Sequence, residues 1–127
     1  MFSHIVLGSN DIERSRRFYD AIFRAVGGLA GELDAKGRLI YRHRNNMLMI
    51  TKPLDGEPAC HANGGTIGFA MDGPDQVDAW HSAGKTAGDI SIEDPPGIRE
   101  NSVMKLYLAY LRDPDGNKLC ATHRGLA

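Results

Sequence analysis

The 127-residue chain sets out one order of elements twice, strand, helix, strand, strand, strand, and that repetition limits the folds open to it. Ser3 to Leu7 is a short apolar run closed by Gly8-Ser9-Asn10, which reads as a strand and its turn. Asn10 or Asp11 then offers a helix N-cap. Behind it Ile12, Phe18, Tyr19, Ile22, Phe23 and Val26 share one helical face, with Glu13, Arg14, Arg16, Arg17, Asp20 and Arg24 opposite. Gly27-Gly28 stops that helix. Strands follow at Leu29 to Leu33, Leu39 to Arg44 and Met47 to Lys52, parted by turn residues at Ala35-Lys36-Gly37 and Asn45-Asn46. The Pro-, Gly- and polar-rich stretch from Pro53 to Gly64 reads as a connection.

The order then restarts. Gly65 to Met71 reads as a strand, Asp72-Gly73-Pro74 opens a helix with proline in its first turn, and Ala87-Gly88 ends it. Ile90 to Ile92 is expected as a short strand, Asp94 to Ser102 as a loop, and Val103 to Arg112 and Lys118 to His123 as the closing strands. The last two are joined by Asp113-Pro114-Asp115-Gly116-Asn117, a turn in which proline presets one φ and glycine or asparagine takes a positive one. The expected architecture is α+β: one domain of two βαβββ modules, about 1–53 and 64–127, joined by linker 54–63. One helix cannot cover both faces of a four-stranded sheet. Pairing two modules answers that burial problem and leaves a cup between them.

The formal net charge is −1 with charges of both signs interspersed, so no basic patch points to nucleic acid. No apolar run reaches membrane-spanning length, and the N-terminus lacks the features of a secretion signal. Two cysteines, Cys60 and Cys120, are too few for a disulfide framework and point to a reducing, cytoplasmic setting.

Three stretches carry a family likeness: Ser3-His4-Ile5-Val6-Leu7 with Asp11-Ile12-Glu13-Arg14-Ser15 to Phe18-Tyr19; Gly65-Thr66-Ile67-Gly68-Phe69-Ala70; and the Arg112 to Leu119 hairpin. With these the chain resembles the vicinal oxygen chelate superfamily, which includes glyoxalase I, extradiol dioxygenases and bleomycin-resistance proteins. Its middle is similar to the small glyoxalase-like branch. The resemblance implies a divalent metal held by first- and last-strand side chains of each module, chelating a substrate through two neighbouring oxygens. Carried over by position, those sites fall on His4, Met49, Thr66 and Cys120. Only His4 is a residue the family's metal enzymes use. Met49 offers no hard donor, Thr66 a poor neutral one, and Cys120 a strong one only as thiolate.

No cofactor is therefore expected, with a divalent metal on His4 and Cys120 as the alternative. A homodimer is implied by the resemblance and by open sheet edges. The expected function is binding of a small organic molecule in the cup by a protein whose metal site has degenerated. Two alternatives stand beside it: a metal-dependent lyase or dioxygenase acting on vicinal oxygens, and a non-catalytic protein that sequesters a drug or metabolite. Arg99, Tyr107, Thr66 and Met49 are the expected substrate-binding residues, Arg99 because its loop closes over the cup in glyoxalase-like relatives. Tyr41 and Tyr110 are further candidates for the cup wall. A soft metal on His4 and Cys120 would draw on His61 or His123 as a further donor, while His81 reads as a surface or interhelix residue of the second helix.

Overall fold

The structure, a computed structural model, describes residues 1–88 and 91–125. Its elements run β1 (His4–Gly8), α1 (Ile12–Arg24), β2 (Glu32–Leu33), β3 (Leu39–His43), β4 (Asn46–Thr51), β5 (Ile67–Ala70), α2 (Pro74–Gly88), β6 (Ser91–Glu100), β7 (Lys105–Arg112) and β8 (Lys118–His123). They form two mixed four-stranded sheets, ordered β1-β4-β3-β2 and β5-β8-β7-β6. The first strand of each half runs parallel to the last, and the other pairings are antiparallel. Among the described residues, no helix is long and apolar enough to cross a membrane.

Helix α1 starts where its sequence says it should. The Asp11 carboxylate accepts from Arg14 N at 3.0 Å, satisfying an otherwise orphaned amide. That bond, offset in part by desolvation, holds the Asp11 carboxyl below its usual range. The apolar face then buries Phe18, Tyr19 and Ile22. Helix α2 contributes Val77 and Trp80, and the two helices pack on one another. One continuous core joins them to Leu39, Tyr41, Leu48 and Ile50 of the first sheet and to Ala109, Leu111, Leu119 and Ala121 of the second. Strand alternation sends the intervening residues, such as Val6, Met49, Gly68 and Cys120, to the opposite, helix-free faces.

The polar junction between the halves is the Asp113–Asn117 hairpin. Asp113, fully buried, accepts from the Tyr19 hydroxyl at 2.6 Å, from Asn117 N at 2.9 Å and from Asn117 Nδ2 at 2.8 Å. Asp115 accepts from Asn10 N, from Arg14 Nη2 and from the Ser15 hydroxyl. Asn117 Nδ2 also reaches Gly8 O at 3.3 Å. The turn thus closes its own strands and seats the start of α1.

The second half departs from expectation at β6. The stretch expected as a loop from Asp94 to Ser102 is strand as far as Glu100, paired with β7. An irregularity between Ile92 and Gly97 absorbs Pro95 and Pro96, which cannot donate to a ladder. Glu93, at φ 61, makes the bend, and its carboxylate meets Lys118 Nζ at 2.5 Å. Ile90, where the sequence reading begins this strand, lies outside the described residues.

His81 is 8% exposed on α2. Burial, and then the Lys85 charge, lower its pKa against a smaller opposing pull from Asp78. The folded state therefore binds fewer protons than the unfolded state once pH falls below the ordinary histidine value, about 6.5. Its contribution to stability is complete above that value and declines as pH drops through it. We expect the melting temperature to fall between about pH 7 and pH 5.5, and to fall less steeply in His81→Gln. Parallel pH profiles for the two proteins would remove His81 as the cause.

Candidate functional site

Two regions compete for the role of site: the helix-free sheet faces and the seam between the halves. His4 and Met49 lie on the first sheet and Cys120 on the second, with Thr66 just ahead of β5. Register separates them further. His4 pairs with Met47 and Met49 with Val6, so these two are displaced by two residues along the ladder, roughly 7 Å. Cys120 pairs with Gly68. His4 Nδ1 lies 2.7 Å from Ser3 Oγ, and Cys120 Sγ lies 3.1 Å from Thr122 Oγ1. Burial, the largest influence, pushes the Cys120 thiol above its ordinary value despite the Thr122 and Tyr110 hydroxyls beside it. Among the described residues, no three His, Cys, Asp or Glu side chains are placed to share an ion. An imidazole, a thioether, a hydroxyl and a protonated thiol do not fit a hard divalent cation.

Two of the expected ligand-binding residues have partners within the chain. Tyr107 was assigned to the cup wall, but its parity on β7 turns it to the helix side, where its hydroxyl donates to Asp78 Oδ1 at 2.7 Å. Tyr110 takes the helix-free face instead, opposite Cys120, with Lys118 Nζ 4.6 Å from its ring centroid. Arg99 was assigned to a closing loop. It belongs to β6, and Nη2 donates to Asp94 O at 3.2 Å and to Pro95 O at 3.1 Å. Its guanidinium ties down the proline bend. Met49 is half-buried beside Val6 and Ile40, and Thr66 is exposed.

The seam holds a cavity of about 670 Å³. It lies where β1 begins and β3 turns into β4, facing β5 and the C-terminal end of α1. Its floor is apolar and aromatic: Ile5, Phe23, Tyr41, Leu48, Ile67 and Phe69. Phe23 bridges the halves, its ring centroid 5.0 Å from Tyr41 and 5.3 Å from Phe69, both edge-on. The Tyr41 hydroxyl donates to Asp20 Oδ1 at 2.7 Å, and burial with that bond keeps it protonated far above the usual range. Of the four positions carried over from the family, only His4 lines the cavity, and of the cup-wall candidates Tyr41 does; the floor aromatics on α1 and β5 escape sequence reading because their spacing marks them only as core.

Residues 1–121 match the sequence profile of the Glyoxalase/Bleomycin resistance protein/Dioxygenase superfamily. The chain belongs to this superfamily. Within the glyoxalase/bleomycin resistance/dioxygenase superfamily it is similar to a glyoxalase/bleomycin resistance protein from Albidiferax ferrireducens T118, at 50% identity over 97% of this chain and 98% of that one, with TM-score 0.92. The fold is shared with a superfamily enzyme from Burkholderia phytofirmans PsJN, at 16% identity over 97% and 98% of the two chains and TM-score 0.72. It is shared too with a lactoylglutathione lyase from Agrobacterium tumefaciens, at 22% identity over 97% and 92%, TM-score 0.66. No functionally curated protein matches the chain. Both expected halves of the α+β superfamily fold are present, each a four-stranded mixed sheet with its helix.

Proposed function

We propose that this member of the glyoxalase/bleomycin resistance/dioxygenase superfamily binds a small organic molecule between its two halves, without the metal chemistry of the superfamily's enzymes. The observation that carries the reading is the seam cavity, about 670 Å³ with an aromatic floor, which falls in the size range of small-molecule sites. The donor set at His4, Met49, Thr66 and Cys120 supports the metal-independent part, since a neutral buried thiol and one imidazole make a weak site. A homodimer is part of the same reading. β1 and β5 each pair on one side only, and Val6 on the helix-free face of β1 is 48% exposed.

Tag-free protein tests the proposal. It should sediment at twice the chain mass and carry substoichiometric metal by inductively coupled plasma mass spectrometry. Aromatic fragments should shift amide resonances at Ile5, Phe23, Tyr41 and Phe69. Stoichiometric metal that disappears in His4→Ala would overturn the metal-independent reading in favour of a metal-dependent lyase or dioxygenase. Fragment shifts confined to residues outside the seam would overturn the assignment of the cavity.

A further inference from the structure

We infer that the ligand of the seam cavity is an amphipathic anion, an aromatic or acyl body carrying a carboxylate or similar head, captured by Arg42 and Arg44. The inference rests on the reading of that cavity as a ligand site and adds the class of molecule it takes.

The argument begins with the β3–β4 hairpin. His43 pairs with Asn46, leaving Arg44-Asn45 as a two-residue turn, and Arg44 adopts φ 55. That left-handed backbone favours glycine or asparagine, so arginine sits there at a cost of order 1 kcal/mol. The strained turn stands at the cavity mouth, and Arg42, His43 and Arg44 all line it. Arg42 pairs across with Met47, which pairs with His4, so Arg42, Met47 and His4 form one row on the helix-free face of the first sheet, at the end where the cavity opens. Adjacent strands lie about 5 Å apart, which puts the guanidinium stem and the imidazole on either side of one thioether.

The charge at this mouth is unspent. Arg14, Arg16, Arg38 and Lys118 all have carboxylate partners. Among the described residues, the side chains of Arg42 and Arg44 have neither an ion pair nor a hydrogen bond. The facing rim supplies one carboxylate, Asp72, against these two guanidinium groups. A cationic ligand would enter against that balance. A neutral one would use the floor and leave the rim idle. An anion uses both, because guanidinium presents a planar fork of N–H donors that matches a carboxylate, while Phe23, Tyr41 and Phe69 bury an apolar body.

A matched pair of probes tests this: naphthalene-2-acetate and naphthalene-2-acetamide, which share the ring system and differ in charge. Each is titrated into the intact protein and into Arg42→Gln/Arg44→Gln, followed by amide shifts at Ile5, Phe23, Tyr41 and Phe69. Both substitutions lie at exposed positions, so the variant should keep its fold. We expect the acetate to bind about tenfold tighter than the amide at low salt, about 1.4 kcal/mol, and that advantage to vanish in the double variant with amide binding unchanged. Equal affinity for the two probes, or an acetate preference that survives the double substitution, overturns the anion assignment and leaves the cavity as a site for neutral molecules. Absence of seam shifts with either probe overturns the cavity reading itself, and the inference falls with it.

Discussion

Asp113→Ala should lower the melting temperature by roughly 10–20 °C, corresponding to a loss of about 3–5 kcal/mol. The residue is fully buried, and its carboxylate serves the Tyr19 hydroxyl, the Asn117 backbone and side-chain amides, and Asp115 N. Alanine strands those donors, and a buried donor without an acceptor forfeits its desolvation cost. The Tyr19 phenol cannot take over as an anion. Burial, the largest influence, raises its pKa and persists when the Asp113 charge is gone. Tyr19→Phe removes one of the donors together with its need and should cost about 1–2 kcal/mol. The double variant should then cost less than the sum of the singles, because both changes act on the same bond. Thermal unfolding followed by circular dichroism reads all three. An Asp113→Ala protein melting within about 2 °C of the parent would show that the hairpin is not the polar anchor between the halves.

The second large effect is expected at Gly84, where α2 passes closest to β7 and α1. A Cβ there would stand 2.2 Å from Leu111 Cδ1 and 3.2 Å from Ile22 Cγ2. Leu111 and Ile22 are both fully buried, so neither can swing aside without disturbing the core. Gly84→Ala gains about 1 kcal/mol of helix propensity, yet overpacking of this kind costs about 1–3 kcal/mol, and we expect net destabilisation. Gly84→Val should cost more, since branching adds atoms on both sides of the contact. Gly68→Ala is the control: its Cβ would meet nothing within 4 Å. Denaturant midpoints separate the three proteins, and a Gly84→Val midpoint equal to that of Gly68→Ala would refute the close approach.

How far the sequence discloses this molecule depends on which scale of interaction does the placing. Asp11, the apolar stripe from Ile12 to Ile22, and Asp113-Pro114-Asp115-Gly116-Asn117 announce themselves because caps, periodicity and turn chemistry act within a few residues. β6 does not, because Asp94-Pro95-Pro96-Gly97 has the composition of a loop, and only its ladder with β7 reveals that the prolines sit in a bend. Tyr107 shows the same difficulty on a face. Alternation tells that Tyr107 and Tyr110 differ in side, but only packing against α2 tells which side bears the helix. The seam cavity is least legible of all. Phe23, Tyr41 and Phe69 come from a helix and two different sheets, and each alone is an ordinary core aromatic. Of the four positions carried over from the family, His4 alone reaches that cavity, because it opens β1, near the turn that carries Arg44.

The hairpin that seats α1 comes about 100 residues later in the chain than the helix it holds, Asp113 against Tyr19 and Asp115 against Arg14. During synthesis the first sheet and its helix therefore leave the ribosome before their polar partners exist. Ser15, Tyr19 and the amide of Asn10 must wait, hydrated, until that hairpin is translated. Contacts so distant in sequence slow the search for the native state. A nascent chain halted before Asp113 would expose the future core face of α1 to chaperones and proteases.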